Sequence, residues 1–311
     1  MITDSCNICP RRCGVDRINT FGFCGAGVKP EAALYMLHRY EEPFISGRPN
    51  GTRGSGTVFF KGCPLKCVYC QNRKISLSPR LSGGDAPSNG SQGETASANE
   101  ESLADIFLKL QAQGAYNINL VTPTHFTVPI IEAVKEAKAK GLNIPIVWNT
   151  SGYELPETIG LLRDTVDIYL TDFKYYKAEA AQRYSGAPDY FKVAAAALET
   201  MVKQQPKLVY GEDGMLKRGV VVRYLALPGL LSDGCRILEY LYGKYGDTVF
   251  ISIMNQYTPQ SACDFERYPE LKDKTPQRQY NKLVRFAQAL GITNAFTQSG
   301  GTVSESFIPK F

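Results

Sequence analysis

The stretch KGCPLKCVYCQN, Lys61 to Asn72, sets Cys63, Cys67 and Cys70 in a Cys-x3-Cys-x2-Cys spacing. Three thiolates on one short loop can wrap a cuboidal iron–sulfur cluster, because thiolates are its usual protein ligands. One iron then lacks a protein ligand. That vacancy can take a small molecule, as the open position of a catalytic zinc does. Gly62, just before the first cysteine, allows close backbone approach. A zinc knuckle completed by a distant His or Cys is the competing reading of the same residues.

A second set, Cys6-x2-Cys9-x3-Cys13-x10-Cys24, offers four ligands in nineteen residues. It suits a second iron–sulfur cluster or a structural zinc. A cluster there would feed electrons to the first, whereas a zinc would clamp a small domain. Arg11, Arg12 and Arg17 suit an acidic electron donor or are simply solvated. Cys235 and Cys263 stand alone and read as small buried hydrophobes.

Composition bounds what can carry these groups. The chain has 311 residues and 43% hydrophobic content, enough for one large α/β domain with a small appendage. The net charge is +5 with 21% charged residues and no run of five basic side chains, which argues against a nucleic-acid partner. No apolar run reaches transmembrane length, and the N-terminus lacks a signal peptide's apolar core, so the expectation is a cytoplasmic protein with no membrane partner. In a reducing compartment, nine cysteines with seven before position 71 favour metal ligation over disulfides.

The elements that must position the cysteines follow a rhythm. Residues 1–30 form a cysteine-rich, metal-binding head, and 31–311 the main domain. Ala32–Tyr40 and Gly56–Phe60 read as strands, the second ending beside the three cysteines. A Gly/Ser/Asn-rich insertion at about 78–102 reads as a flexible surface excursion. Beyond it, helical patterns at Leu103–Ala115, Val128–Leu142, Leu155–Asp164, Tyr190–Gln204, Cys235–Tyr245 and Pro276–Gly291 alternate with apolar strands. Those strands are Asn117–Val121, Ile144–Thr150, Val166–Tyr175, Gly219–Leu227, Thr248–Tyr257 and Ile292–Gln298. Near-continuous apolar strands, each followed by a helix, predict an α/β fold with a parallel sheet. Its form is a partial (β/α)6 TIM-like barrel with a small cysteine-rich extension, a doubly wound sheet being the alternative. In either case functional groups belong in the loops after the strands.

Cys-x3-Cys-x2-Cys with Tyr69 before the last cysteine, placed after the first strand of a βα barrel, resembles the radical S-adenosylmethionine superfamily. The resemblance implies a 4Fe–4S cluster on Cys63, Cys67 and Cys70, with S-adenosylmethionine chelating the open iron. It also implies reductive cleavage of that cofactor to a 5′-deoxyadenosyl radical that abstracts a hydrogen atom. FFKGCPLKCVYCQN, NINLVTPTHF, IPIVWNTSGYE, VDIYLTDFKY, VVRYLALPG and SIMNQYTP together resemble the pyruvate formate-lyase activating enzyme group, in a less characterised activase branch. That narrower resemblance implies a glycyl-radical enzyme as substrate, fed by reduced flavodoxin or ferredoxin. Radical modification of a small molecule or ribosomal peptide is the alternative, and a structural zinc or redox-sensing protein a third.

Many relatives end the second strand in Gly-Gly-Glu, which grips the cofactor's amino group. This chain has Thr122-Pro123-Thr124-His125 there, and Thr122 and Thr124 are expected to keep that job. Asn149, Thr150 and Ser151 end the third strand, where the resemblance implies contact with the cofactor's ribose or carboxylate. Asp172 and Lys174 share one phase of the fourth strand, and Arg223 interrupts the apolar fifth. All three are candidates near the cofactor carboxylate. Tyr69 and Gln256, the latter in Asn255-Gln256-Tyr257, complete the expected cofactor contacts. His38, His125, Glu41 and Glu42 are expected near the mouth, as proton donors, cluster neighbours or structural groups.

Overall fold

The computed structural model describes residues 5–77 and 101–298. The expected insertion at about 78–102 lies outside them except for Glu101 and Ser102. Among the described residues the strands are β1 (Ala32–His38), β2 (Gly54–Phe60), β3 (Ala115–Val121), β4 (Ile146–Thr150), β5 (Ile168–Asp172), β6 (Val209–Tyr210), β7 (Leu216–Leu225), β8 (Phe250–Met254) and β9 (Ala295–Thr297). The α-helices are α1 (Pro43–Ser46), α2 (Arg73–Ser76), α3 (Leu103–Ala112), α4 (Thr127–Ala139), α5 (Pro156–Gly160), α6 (Ala178–Ser185), α7 (Tyr190–Gln204), α8 (Leu231–Tyr245) and α9 (Gln277–Ala289).

Strands β2, β3, β4, β5, β7, β8 and β9 lie side by side and parallel. β1 adds to β2 antiparallel, and β6 is a short hairpin partner of β7. Six βα units are present, and β9 follows the last. Among the described residues the sheet ends at β1 on one side and β9 on the other, so the barrel they form is partial and open at that seam.

Strand phase explains why the sheet curls. Ile118, Trp148, Tyr169, Val222 and Ile253 point outward into one core with Leu110, Val134, Leu198, Leu241 and Leu283 of the helices. The opposite phase contributes Val147, Ile168, Leu170 and Val221, which form a separate cluster around Ile45 of α1. Helices therefore cover one face, and the other closes on itself around the Ile45 stopper, unlike a doubly wound sheet. Fully burying a side chain such as Ile45 contributes about 1.5–3 kcal/mol.

Several elements differ from the sequence pattern. The strand expected over Val166–Tyr175 stops at Asp172, because the Tyr190 hydroxyl takes over there. It accepts the Lys174 N–H at 3.0 Å and donates to Ser151 O at 2.7 Å. Lys174 thus follows the strand rather than alternating with Asp172 along it. The helix expected over Leu155–Asp164 holds only to Gly160, whose missing side chain favours release into turns. Helix α6, unmarked by long periodicity, ends at Gly186 in the left-handed region at φ 55. Ser102 starts α3, accepting the Asp105 N–H at 3.1 Å.

Candidate active site

β2 delivers the cysteine loop to the open end of the barrel. Gly62, at φ 83, turns the chain and donates to Ile75 O at 2.9 Å. Each of the three thiols then meets its own hydrogen-bond donor. Cys63 Sγ accepts from Leu65 N and Lys66 N at 3.4 and 3.5 Å. Cys67 Sγ accepts from Ser185 Oγ at 3.1 Å, and Cys70 Sγ from Ser76 Oγ at 3.3 Å. Burial, with the neighbouring Cys70 and Cys67, pushes the Cys63 thiol up to about 12. Burial likewise raises Cys70. Among the described residues no three His, Cys, Asp or Glu converge tightly enough for a single metal ion. A cuboidal cluster instead spreads its thiolates over separate irons.

Opposite the loop lies a buried polar layer, set by the inward phase of the strands. Arg223 of β7 is its hub: Nε donates to Asp172 Oδ1 at 3.0 Å, Nη1 to Glu41 Oε2 at 3.0 Å and Nη2 to Asn149 Oδ1 at 2.5 Å. Lys174 Nζ reaches Asp172 Oδ2 at 2.5 Å. Burial alone would raise the Asp172 carboxyl, but Lys174 and Arg223 outweigh it and hold the group below its ordinary value. The same pairing keeps Lys174 charged despite burial, with Cys67 adding to the effect. Asn149 Nδ2 donates to Glu41 Oε1 at 3.2 Å, so its amide is committed within the layer.

Between loop and layer lies a cleft of ≈ 1110 Å³, counting its solvent-open mouth. Cys63, Cys67, Cys70, Tyr69, Thr122, Asn149, Ser151, Asp172, Lys174, Arg223 and Gln256 all line it. Thr124 does not: it is buried, and its hydroxyl donates to Glu154 Oε1 at 2.7 Å. Thr122, two residues earlier and directly after β3, has φ 58, a strained conformation for a β-branched residue. His125 is also turned away, with Nε2 2.7 Å from Lys61 O. The Gln256 side chain accepts from Gln298 Nε2 at 2.9 Å, and Tyr69 OH meets Tyr175 OH at 2.8 Å. Sequence pattern missed the partnership of Glu41 with Arg223 and the role of Ser185. Glu41 lies in the loop before α1, and Ser185 is far from the motif in sequence.

Cys6, Cys9, Cys13 and Cys24 lie outside the cleft, in a head bonded to the cysteine loop. Cys63 N donates to Cys24 O at 3.0 Å. Arg11 Nε donates to Pro64 O at 2.9 Å, and its Nη2 to Ser185 O at 2.8 Å.

Comparison with known proteins bears on this arrangement. An uncharacterized protein of Methanocaldococcus jannaschii is 28% identical over 301 residues, covering 94% of this chain and 76% of its own. Streptococcus suis SuiB matches in crystal structures with S-adenosylmethionine and with the precursor peptide SuiA. Both have a TM-score of 0.46, 12% identity and 77% coverage of this chain. The chain spans about half of SuiB, 49% and 47% in the two structures. Residues 57–229, more than half of the chain and the span from β2 to just beyond β7, match the Radical SAM superfamily, to which this chain belongs.

Proposed function

We propose that Cys63, Cys67 and Cys70 hold a 4Fe–4S cluster at which S-adenosylmethionine is reductively cleaved, and that the enzyme takes a hydrogen atom from a protein or peptide chain. One observation carries the reading. Three thiols, each with its own donor, face a cleft whose far wall pairs two cations with carboxylates. The residues fit the groups: three thiolates leave one iron open, and the far wall offers partners of both signs to a zwitterionic amino acid. When bound, the cluster supplies the electron that splits S-adenosylmethionine into methionine and a 5′-deoxyadenosyl radical.

Lys174 and Arg223 offer positive charge to the methionine carboxylate. Asp172 holds both cations in place, and Thr122 and Ser151 present polar groups at the same rim. Leu65, Leu225 and Met254 line the cleft with apolar surface that restricts water around a reactive centre. The open seam suits a chain-like substrate. A second hollow lined by Arg39, Tyr40, Met254 and Phe296 adjoins the cleft there, sharing Tyr40, Glu41, Met254 and Gln256 with it. The narrower reading is a backbone glycyl hydrogen on a glycyl-radical enzyme, with reduced flavodoxin or ferredoxin as electron source.

The test is anaerobic reconstitution followed by dithionite reduction with S-adenosylmethionine. Formation of 5′-deoxyadenosine is expected, and its absence would sink the radical reading. Adding the glycyl-radical enzymes of the same organism should give a doublet EPR signal. Formation of 5′-deoxyadenosine without that doublet would move the substrate to a ribosomal peptide or small molecule.

A further inference from the structure

We infer that Cys6, Cys9, Cys13 and Cys24 hold a second iron–sulfur cluster that passes electrons to the cluster at Cys63, Cys67 and Cys70. The inference rests on the reading of the cysteine loop given above. Residues 5–31 contain no helix or strand. Their packing is inverted: Ile18, Phe21, Phe23 and Val28 are exposed, while Cys6, Cys9 and Cys24 are buried. A segment that turns its large apolar groups outward has little core of its own, and such small units depend on disulfides or metals. All four of its cysteines are unpaired. Bound metal then supplies folding free energy directly.

The four thiols are neighbours in the folded segment. A Cβ on Gly22 would lie 3.3 Å from Cys24 Sγ and 3.4 Å from Cys13 Sγ, so the glycine leaves open a space between two sulfurs that any side chain would fill. Cys24 is in electrostatic range of Cys6 and Cys13, and Cys9 of Cys6 and Cys24. Tight backbone bonds fold the segment around them: Cys6 N to Val15 O at 3.0 Å, Gly14 N to Cys6 O at 3.1 Å and Arg12 N to Cys9 O at 3.0 Å.

Placement favours an electron relay over a structural clamp. Cys24 O accepts the Cys63 N–H, so one hydrogen bond joins a ligand of the head to a ligand of the barrel site. A side chain at position 62 would break that approach, since its Cβ would lie 2.6 Å from Cys24 O. Arg17, buried, fixes the other side by donating to Ala26 O, Gly27 O and His125 O. The electron count is simple. An external one-electron donor protein, reduced flavodoxin or ferredoxin, reduces the head cluster by one electron. The head cluster returns that electron to the barrel cluster and is reoxidised, with no bond or proton change.

The experiment uses the full chain, reconstituted anaerobically, as wild type, as a Cys63→Ala/Cys67→Ala/Cys70→Ala variant and as a Cys6→Ser/Cys24→Ser variant. Expected iron is about eight per wild-type chain and about four in each variant, from two four-iron clusters. The triple variant should show a reduced-cluster EPR signal that S-adenosylmethionine leaves unchanged. The head variant should keep a cofactor-responsive signal, with reduction by flavodoxin at least tenfold slower and reduction by dithionite unaltered. An iron-free triple variant, or one holding a single zinc, would overturn the inference, as would unaltered flavodoxin kinetics in the head variant. Should the head variant fail to fold, the iron content of the triple variant decides alone. A wild type with no iron at all would instead overturn the reading of the cysteine loop.

Discussion

Ser185 Oγ donates to Cys67 Sγ at 3.1 Å, although 118 residues separate the two. Ser185 closes α6, so the helix's end sets the position of a hydroxyl against the loop after β2. Behind it, Tyr175 OH lies 2.7 Å from Ser185 Oγ and 2.8 Å from Tyr69 OH. The three buried hydroxyls form a chain ending at sulfur.

Donors to cluster thiolates favour the extra negative charge of the reduced state, so they raise the reduction potential. Ser185→Ala should load iron normally but lower the midpoint potential by on the order of 40 mV, the equivalent of about 1 kcal/mol for one electron. Redox titration followed by EPR measures it. Ser185→Thr should restore the potential, and an unchanged potential in the alanine variant would show that the contact does not tune the site.

Arg223 is expected to be a stability hub as well as a cofactor contact. Arg223→Met would remove the donors to Asp172 Oδ1, Glu41 Oε2 and Asn149 Oδ1 from a buried layer, leaving Asp172 to Lys174 and Glu41 to the Asn149 amide. Breaking such a network costs about 3–5 kcal/mol. Thermal unfolding of the metal-free protein should drop by roughly 10 °C for a chain of this size. Arg223→Lys should recover little, because an ammonium cannot span three acceptors as the guanidinium fork does.

Much of this was legible in residue order, for identifiable reasons. Apolar runs in Ile118–Val121 and Val220–Val222 marked buried strands. The cysteine spacing marked the loop between β2 and α2. What sequence could not supply was depth and partnership. Thr122 and Thr124 are two residues apart and chemically alike, yet one lines the cleft and the other is bonded to buried Glu154. The three-residue helix Thr124–Phe126 turns the second threonine away, and nothing in the pattern signals it. Ser185 was silent, and Glu41, though expected near the mouth, gave no sign of its pairing with Arg223, because such long-range contacts leave no local periodicity.

Thr122 offers a test of stored strain. Its φ of 58 puts a β-branched side chain where glycine is the natural occupant. Thr122→Gly should therefore raise stability by about 0.5–1 kcal/mol, since relief of strain exceeds the added freedom of the unfolded chain. A fall in the thermal midpoint would mean that Thr122 makes compensating contacts. Isothermal titration with S-adenosylmethionine on the same variant then reports whether the hydroxyl binds the cofactor.

His125 should give the protein an acid-sensitive stability. Lys61 O can only accept, so Nε2 carries the proton, and Nδ1 is left without a partner. Burial first, then the nearby Arg17 charge, lowers His125 from 6.5 to about 3 against the opposing bond to Lys61. The folded state thus binds the proton less readily than the unfolded one. Its contribution is full above pH 6.5 and is lost as pH falls from 6.5 toward 3. By pH 5 the loss should be about 2 kcal/mol. His125→Gln can keep a donor on Lys61 O but cannot titrate, so its stability should fall less over this range. The slope will not vanish, because His38 is also lowered by burial, to about 4. Urea unfolding of the metal-free protein at pH 7.5, 6 and 5 measures both curves. Parallel curves would show that His125 is as readily protonated in the fold as outside it.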